Sequence, residues 1–272
     1  IILRTKLQCP PAASDILPRA RLLDRLNQGR QRTLTLISAP AGYGKSTLAS
    51  RWVTACDCPS GWVSLNESDS DMRTFLSYVL AALSSLFPKI ELRTEDLLEA
   101  NPLPPAPVLA HYLLSDLQEG TEPFMLVLDD YHRIRRGGPV DDFIKEILDC
   151  PPQAMHLVLL TRHDPSFALS RLRSRGQVNE IRAADLRFTL AEATAFLREK
   201  LMVPVDDASA AILDEKTEGW VTGLRLAGLY LRSLDDLKHG IQKLKGSAQN
   251  IAEYLLAEVV DRSQLVLSGR AG

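Results

Sequence analysis

Thr33-Leu34-Thr35-Leu36-Ile37-Ser38 runs directly into Ala39-Pro40-Ala41-Gly42-Tyr43-Gly44-Lys45-Ser46-Thr47, and the reading of this stretch decides the fold. Five of the first six residues are apolar or β-branched, as a buried strand requires. The residues from Ser46 to Ala55 recur at helical spacing. A strand, a glycine-containing turn and a helix in that order form the context of a phosphate-binding loop. Gly42 and Gly44 let the backbone turn its N–H groups inward, and the helix N-terminus adds the positive end of its dipole. The whole of Ala39, Pro40, Ala41, Gly42, Tyr43, Gly44, Lys45, Ser46 and Thr47 is therefore expected to cradle the phosphates of a nucleotide. Lys45 is placed to reach the β- and γ-phosphates, and the Ser46 hydroxyl to ligate Mg²⁺. Ala39 stands where the G-x-x-x-x-G-K-[ST] pattern has its first glycine, a departure that costs nothing if its φ is negative.

Outward from the loop, short apolar runs alternate with helical patterns, the signature of a parallel sheet wrapped by helices. Phe124 to Leu128 and His156 to Leu160 are nearly all apolar and are expected in the middle of the sheet. Trp62 to Leu65 and Val178 to Ile181 are mixed and are expected nearer its edges. Helices are predicted over 46–55, 72–86, 108–118, 140–148 and 167–174, giving a three-layer α/β/α domain. Pro102 to Pro107 is proline-dense and reads as an extended, non-helical connector. After Thr189 the strand signal ends. Thr189 and Glu192 form a capping box that opens a helix to Leu201, followed by helices over 206–217 and 220–234. The expected organisation is a nucleotide-binding domain over 1–188, a small all-helical lid domain over 189–247, and a terminal stretch over 248–272.

Leu126-Val127-Leu128-Asp129-Asp130 places two acids at the end of a hydrophobic strand, which reads as a Walker B motif. Asp129 is expected to hold Mg²⁺ through water. Asp130 is expected to orient or deprotonate the attacking water, because phosphoryl transfer needs positioning and charge neutralisation above all. The strand through Leu160 ends in Thr161-Arg162, beside the phosphate crevice of a parallel sheet, so Arg162 is placed to sense the γ-phosphate. His132 can face the same crevice or serve as polar packing.

Hydrophobic residues make up 45% of the chain and charged residues 24%, the balance of a soluble globular protein with no bilayer-length apolar run. A cytoplasmic setting is the expectation. Lys plus Arg number 32 against 34 acids, which argues against a duplex-binding module driven by phosphate neutralisation. Any DNA contact is expected outside this chain. Cys9, Cys56, Cys58 and Cys150 lack the spacing of a zinc site and read as reduced thiols.

Taken together these blocks resemble the MalT-like large ATP-binding regulators of the LuxR type, within the STAND class of signal-transducing P-loop ATPases. The resemblance rests on Leu17-Pro18-Arg19-Ala20-Arg21, the 41–47 loop, Trp62-Val63-Ser64-Leu65-Asn66-Glu67 and Leu128-Asp129-Asp130-Tyr131-His132. It continues through Arg162-His163-Asp164-Pro165, Arg171 to Gly176, Glu180 to Phe188 and Thr217-Glu218-Gly219-Trp220-Val221-Thr222-Gly223-Leu224. It implies that the segment before the first strand and the helical domain close over adenine and ribose, making Arg19, Trp220, Gly223 and Leu224 candidate nucleotide contacts. Trp220 and Leu224 also fit ordinary helix core. Arg171, Arg173 and Arg175 fit either a neighbouring subunit's nucleotide or a solvated helix face. The resemblance further implies an N-terminal fragment of a longer regulator, with Tyr254 to Val259 resembling the start of a winged-helix domain. The expected activity is an ATP/ADP switch with slow Mg²⁺-dependent hydrolysis and self-association in the ATP state; a turnover ATPase remodelling DNA or protein, or a nucleotide-bound scaffold, is the alternative.

Overall fold

The computed structural model describes residues 2–11, 16–118, 121–234 and 236–244. The expectations for 248–272, including Tyr254 to Val259, lie outside the described residues. Two compact units emerge. One comprises Ile1–Pro11, Ala20–Pro40 and Lys45–Arg182; the other comprises Ala12–Arg19, Ala41–Gly44 and Ala183–Gly272.

The first unit is built on five parallel strands: β1 (Leu34–Ser38), β2 (Ser60–Ser64), β3 (Phe124–Asp129), β4 (Met155–Thr161) and β5 (Val178–Arg182). Their order is β2-β3-β4-β1-β5, so the three most apolar strands are interior and the two mixed ones are edges. Every residue of β1, β3 and β4 is buried, whereas β2 and β5 carry half-buried positions, as their compositions demand.

Among the described residues this unit has six α-helices: α1 (Ala20–Gln28), α2 (Lys45–Ala55), α3 (Met72–Leu86), α4 (Ala106–Gln118), α5 (Pro139–Asp149) and α6 (Ser170–Ser174). Alternate strand residues face opposite ways, and this period separates the two helical layers. Leu34, Leu36, Leu126, Leu128, Leu157 and Leu159 join one core with apolar residues of α3, α4 and α5. On the opposite face, Trp52 of α2 meets His156 of β4 edge-on at 5.8 Å, and Asn179 of β5 donates to the Arg25 carbonyl of α1 at 3.4 Å. The three-layer α/β/α reading is thus the observed architecture.

The second unit holds α7 (Ala183–Leu186), α8 (Leu190–Ala195), α9 (Asp207–Thr217), α10 (Val221–Arg232) and α11 (Leu237–Lys243). Phe188, Phe196, Leu197, Leu213, Leu224, Ala227 and Leu231 form its core. The capping box is present: Thr189 Oγ1 accepts from the Glu192 amide at 3.2 Å, and Glu192 Oε2 accepts from the Thr189 amide at 2.9 Å. Among the described residues no helix is long and apolar enough to cross a membrane.

Several boundaries differ from the sequence expectation. Ala106 and Pro107 are helical, because proline in a first turn lacks only an N–H that no intrahelical carbonyl would accept. The helix expected from Phe167 begins at Ser170, with Phe167 buried in the preceding loop. The helix expected to reach Leu201 is α-helical only to Ala195 and continues as a π-helical turn over Phe196–Lys200. Trp220 is the N-cap of α10, with extended backbone, and that helix stops at Arg232.

Candidate functional site

In the first unit the carboxyl ends of β1, β3 and β4 carry the candidate residues. Ala39, just past β1, donates its amide to the Thr161 carbonyl at 3.2 Å, and its backbone is not left-handed, so alanine replaces the pattern glycine without strain. Lys45 opens α2 and is buried, with Nζ donating to the Pro40 carbonyl at 3.0 Å. Burial lowers its pKa first, and the nearby Arg162 guanidinium lowers it further, while Asp130 and Asp129 act in the opposite direction. A partly desolvated ammonium ringed by charge is well suited to an anionic ligand.

Ser46 Oγ donates to Asp129 Oδ1 at 3.0 Å, so the structure joins the two residues expected to hold the metal. Asp129 is buried at the last position of β3, and that burial pushes its carboxyl up to about 6 despite the hydrogen bond from Ser46. The donor set is a hydroxyl and a carboxylate, hard oxygens that fit Mg²⁺. Among the described residues no cluster of three His, Cys, Asp or Glu side chains forms a metal cage.

Asp130 follows in left-handed backbone, φ 58° and ψ 35°, and its amide donates to Asp129 Oδ1 at 2.8 Å. Its side chain is half-exposed, and His132 Nδ1 lies 3.8 Å from its Oδ1. Arg162 is exposed beyond β4, and its charge acts on both Lys45 and His132. His132 stands edge-on to His163 at 6.1 Å, and its pKa is lowered chiefly by burial. Lys45, Ser46, Asp129, Asp130, Arg162 and His132 thus converge on the carboxyl edge of one sheet, where open α/β sheets bind ligands. Thr47 is exposed on α2.

The second unit contains the apex of the loop. Gly42 and Gly44 are left-handed at φ 77° and 76°, and Tyr43 between them is half-buried. The Ala41 carbonyl accepts from Trp220 Nε1 at 3.2 Å, and the Gly42 carbonyl accepts from Thr222 twice, from Oγ1 at 2.8 Å and from the amide at 3.2 Å. Gly223 lets the Trp220 ring lie close, since a β-carbon there would come within 2.7 Å of Cε3. Leu224 is fully buried in the helical core. Arg19 is engaged by its own unit: its guanidinium donates to the Leu186 carbonyl at 2.6 Å and the Arg187 carbonyl at 2.7 Å, pairs with Glu192 at 3.1 Å, and lies over the Phe188 ring.

Sequence reasoning gave Thr222 no role of its own within the 219–224 stretch, and its contact with Gly42 spans a separation no periodicity reports. It gave no role to Tyr131 beyond its place in the Leu128–His132 block, nor any to Asp141 and Ser166, although the two hydroxyls donate to Asp141; an acid in the first turn of an amphipathic helix was the available signal.

No family model matches the chain. Among curated proteins it is similar to the HTH-type transcriptional regulator MalT of Klebsiella pneumoniae and of Serratia proteamaculans, each 32% identical over 263 residues, and to that of Yersinia pestis, 31% identical over 264 residues. The alignments cover 96% of this chain and 29% of each relative, so the chain spans under a third of their length. Among solved structures it resembles a Walker-type ATPase of Pyrococcus abyssi, with a TM-score of 0.58 at 15% identity over 94% of this chain and 78% of that one. Cdc6p from Pyrobaculum aerophilum gives 0.50 at 14% identity, over 84% of this chain and 65% of that one. At such identities the two structures establish the fold.

Proposed function

We propose, from the premise that this chain is a homologue of the MalT transcriptional regulators built on the P-loop NTPase fold, that it is an ATP/ADP-binding switch module. The observation that carries the reading is the Ser46–Asp129 hydrogen bond beside a buried Lys45. A hydroxyl and a carboxylate converge next to a cation at the mouth of a phosphate loop, as a nucleotide with its divalent ion requires. In this reading the 39–47 loop binds the phosphates and Lys45 neutralises the β- and γ-oxygens. Ser46 and Asp129 would hold Mg²⁺, which would withdraw charge from the phosphates. Asp130, fixed in left-handed backbone, orients the attacking water, and Arg162 meets the γ-phosphate. Trp220, Gly223 and Leu224 support the loop and its surroundings, and Arg19 contributes by fixing the 186–192 segment.

The division into a nucleotide-binding domain over 1–188 and a helical lid over 189–247 belongs to the same proposal, as do membership of the LuxR type and the STAND class and a cytoplasmic setting. ADP holds a resting form; ATP with a signal favours a self-associating form, and hydrolysis is slow enough for each state to persist. DNA is contacted by the parent regulator through parts absent from this chain. The alternative, a turnover ATPase that remodels DNA or protein, predicts rapid hydrolysis stimulated by a polymer.

The deciding experiment is acid release and chromatography of the nucleotide that co-purifies with the chain, followed by steady-state and single-turnover hydrolysis with Mg²⁺. Near-stoichiometric ADP with turnover well below one per minute supports the switch. Fast multiple turnover, or no affinity for either nucleotide, removes it.

A further inference from the structure

Behind the acids of β3 lies a buried carboxylate that the proposed phosphoryl chemistry does not use. Asp141 sits in the first turn of α5 and is 4% exposed. Its Oδ1 accepts from the Tyr131 hydroxyl at 2.5 Å. Its Oδ2 accepts from the Gly137 amide at 2.7 Å and from the Ser166 hydroxyl. The Gly137 amide also donates to Ser166 Oγ at 3.1 Å. Oδ1 thus serves the chain leaving β3, and Oδ2 serves both that chain, through Gly137, and the chain leaving β4, through Ser166.

Tyr131 directly follows Asp130, and Ser166 lies in the loop that begins with Arg162. The two arms also touch each other, Tyr131 packing edge-on against Phe167 at 6.4 Å. Nearer the strand, Thr161 Oγ1 donates to the His163 carbonyl at 2.7 Å and shapes the turn that presents Arg162. A helix-start role explains only the Gly137 contact. Tyr131 and Ser166 are remote in sequence from α5's own first turn or belong to another strand's exit, and a hub with all its donors paired is rigid.

We propose that Asp141 is a positioning residue that locks the exits of β3 and β4 together and so fixes Asp130 relative to Arg162. The inference rests on the nucleotide reading only for its effect on hydrolysis; the mechanical link stands on this network alone. It predicts that the two exits loosen as one. Asparagine is the informative replacement, because its amide nitrogen turns at least one hydroxyl of the network from donor to acceptor and removes the charge that strengthens all three hydrogen bonds.

The test uses the full chain as wild type, Asp141→Asn, Ser166→Ala and Tyr131→Phe. Amide hydrogen exchange is followed over 129–134 and 161–167, alongside affinity for fluorescent ADP and single-turnover hydrolysis of pre-bound ATP. Asp141→Asn is expected to speed exchange in both segments and slow hydrolysis about tenfold to a hundredfold, with ADP affinity within about threefold, because displaced catalytic groups cost rate while the phosphate loop is untouched. Ser166→Ala, on the β4 side, is expected to speed exchange in 129–134 as well. Tyr131→Phe is expected to do the reverse across the network. Exchange that rises only around 137–142 would reduce Asp141 to a helix cap and overturn the proposal, as would parallel losses of binding and hydrolysis. If the wild type binds no nucleotide, the switch reading fails while the exchange pattern still decides the link. Should Asp141→Asn not fold, the two single-hydroxyl variants carry the same decision.

Discussion

The Ser46 hydroxyl and Asp129 Oδ1 are 3.0 Å apart, which ties the first turn of α2 to the last residue of β3. Asp129 is buried, and its pKa stands at about 6 where the ordinary value is 3.8. A carboxyl whose folded pKa is raised contributes stability that is complete below the unfolded pKa and lost as pH rises through the folded one. At pH 7 the folded chain therefore carries an ionisation cost of up to about 3 kcal/mol, at roughly 1.4 kcal/mol per unit. Asp129→Asn escapes that cost. The variant is expected to melt above the wild type at pH 7 in metal-free buffer, and to lose any further stabilisation from Mg²⁺ with ADP. Thermal melts with and without Mg²⁺ decide it: a lower metal-free melting temperature in the variant contradicts the electrostatic account, and retained Mg²⁺ dependence contradicts the metal assignment.

At the loop apex the Gly42 carbonyl takes both Thr222 donors, and a β-carbon on Gly42 would stand 2.6 Å from Thr222 Oγ1 with φ at 77°. Gly42→Ala combines left-handed strain with a clash and is expected to destabilise by about 2 kcal/mol or more, with loss of nucleotide affinity. Thr222→Val keeps the shape and removes one hydrogen bond, for about 1 kcal/mol. Urea unfolding of both variants checks the ranking; equal effects would mean that the hydroxyl contact, rather than the backbone geometry, dominates at this turn.

The fold was readable because burial on both faces leaves β1, β3 and β4 no polar face, so three apolar runs mark the sheet interior and their last residues mark the site. Ser46 and Asp129 were readable for the same reason: strand ends in a parallel sheet share an edge. Contacts to carbonyl oxygens were not, because every residue has a carbonyl and a sequence names none of them. Arg19 illustrates this, its guanidinium being directed to the Leu186 and Arg187 carbonyls of its own unit. Asp141 illustrates the other limit, since its partners Tyr131 and Ser166 come together only once β3 and β4 are paired. Helix ends at Phe167, Phe196 and Trp220 shifted where tertiary packing of a large side chain prevailed over helical periodicity.

Gly219 holds a left-handed turn between α9 and α10 at φ 66°, and its carbonyl accepts from the Phe188 amide at 2.9 Å. A β-carbon there would stand 2.6 Å from the Phe188 carbonyl oxygen and 3.0 Å from its nitrogen, backbone atoms that cannot rotate aside. Gly219→Ala is expected to destabilise the helical unit by at least about 2 kcal/mol. The neighbouring Trp220 supplies the readout, through tryptophan fluorescence during urea unfolding. A transition at the wild-type midpoint would show that this turn tolerates a side chain.

His156 in β4 is buried between two oxygen partners, the Arg32 carbonyl 2.6 Å from Nδ1 and Thr35 Oγ1 2.8 Å from Nε2. A carbonyl only accepts, so Nδ1 carries the proton and neutral Nε2 accepts from the Thr35 hydroxyl. Burial lowers the pKa from 6.5 to about 4, outweighing the Arg32 contact that raises it. The unfolded chain therefore binds this proton more readily than the folded one. The resulting stability is complete above about 6.5 and is lost as pH falls toward about 4, for a total of about 3 kcal/mol. His156→Gln removes the titration while lowering stability at every pH through imperfect packing. Carboxylates contribute equally to both proteins, so the difference isolates the imidazole. Urea unfolding at intervals from pH 7.5 to pH 4.5 is expected to show the wild type's advantage over His156→Gln shrinking steadily below about pH 6.5. A constant difference across that range would mean that His156 stays accessible to protons in the folded sheet, and the neutral tautomer assigned here would be wrong.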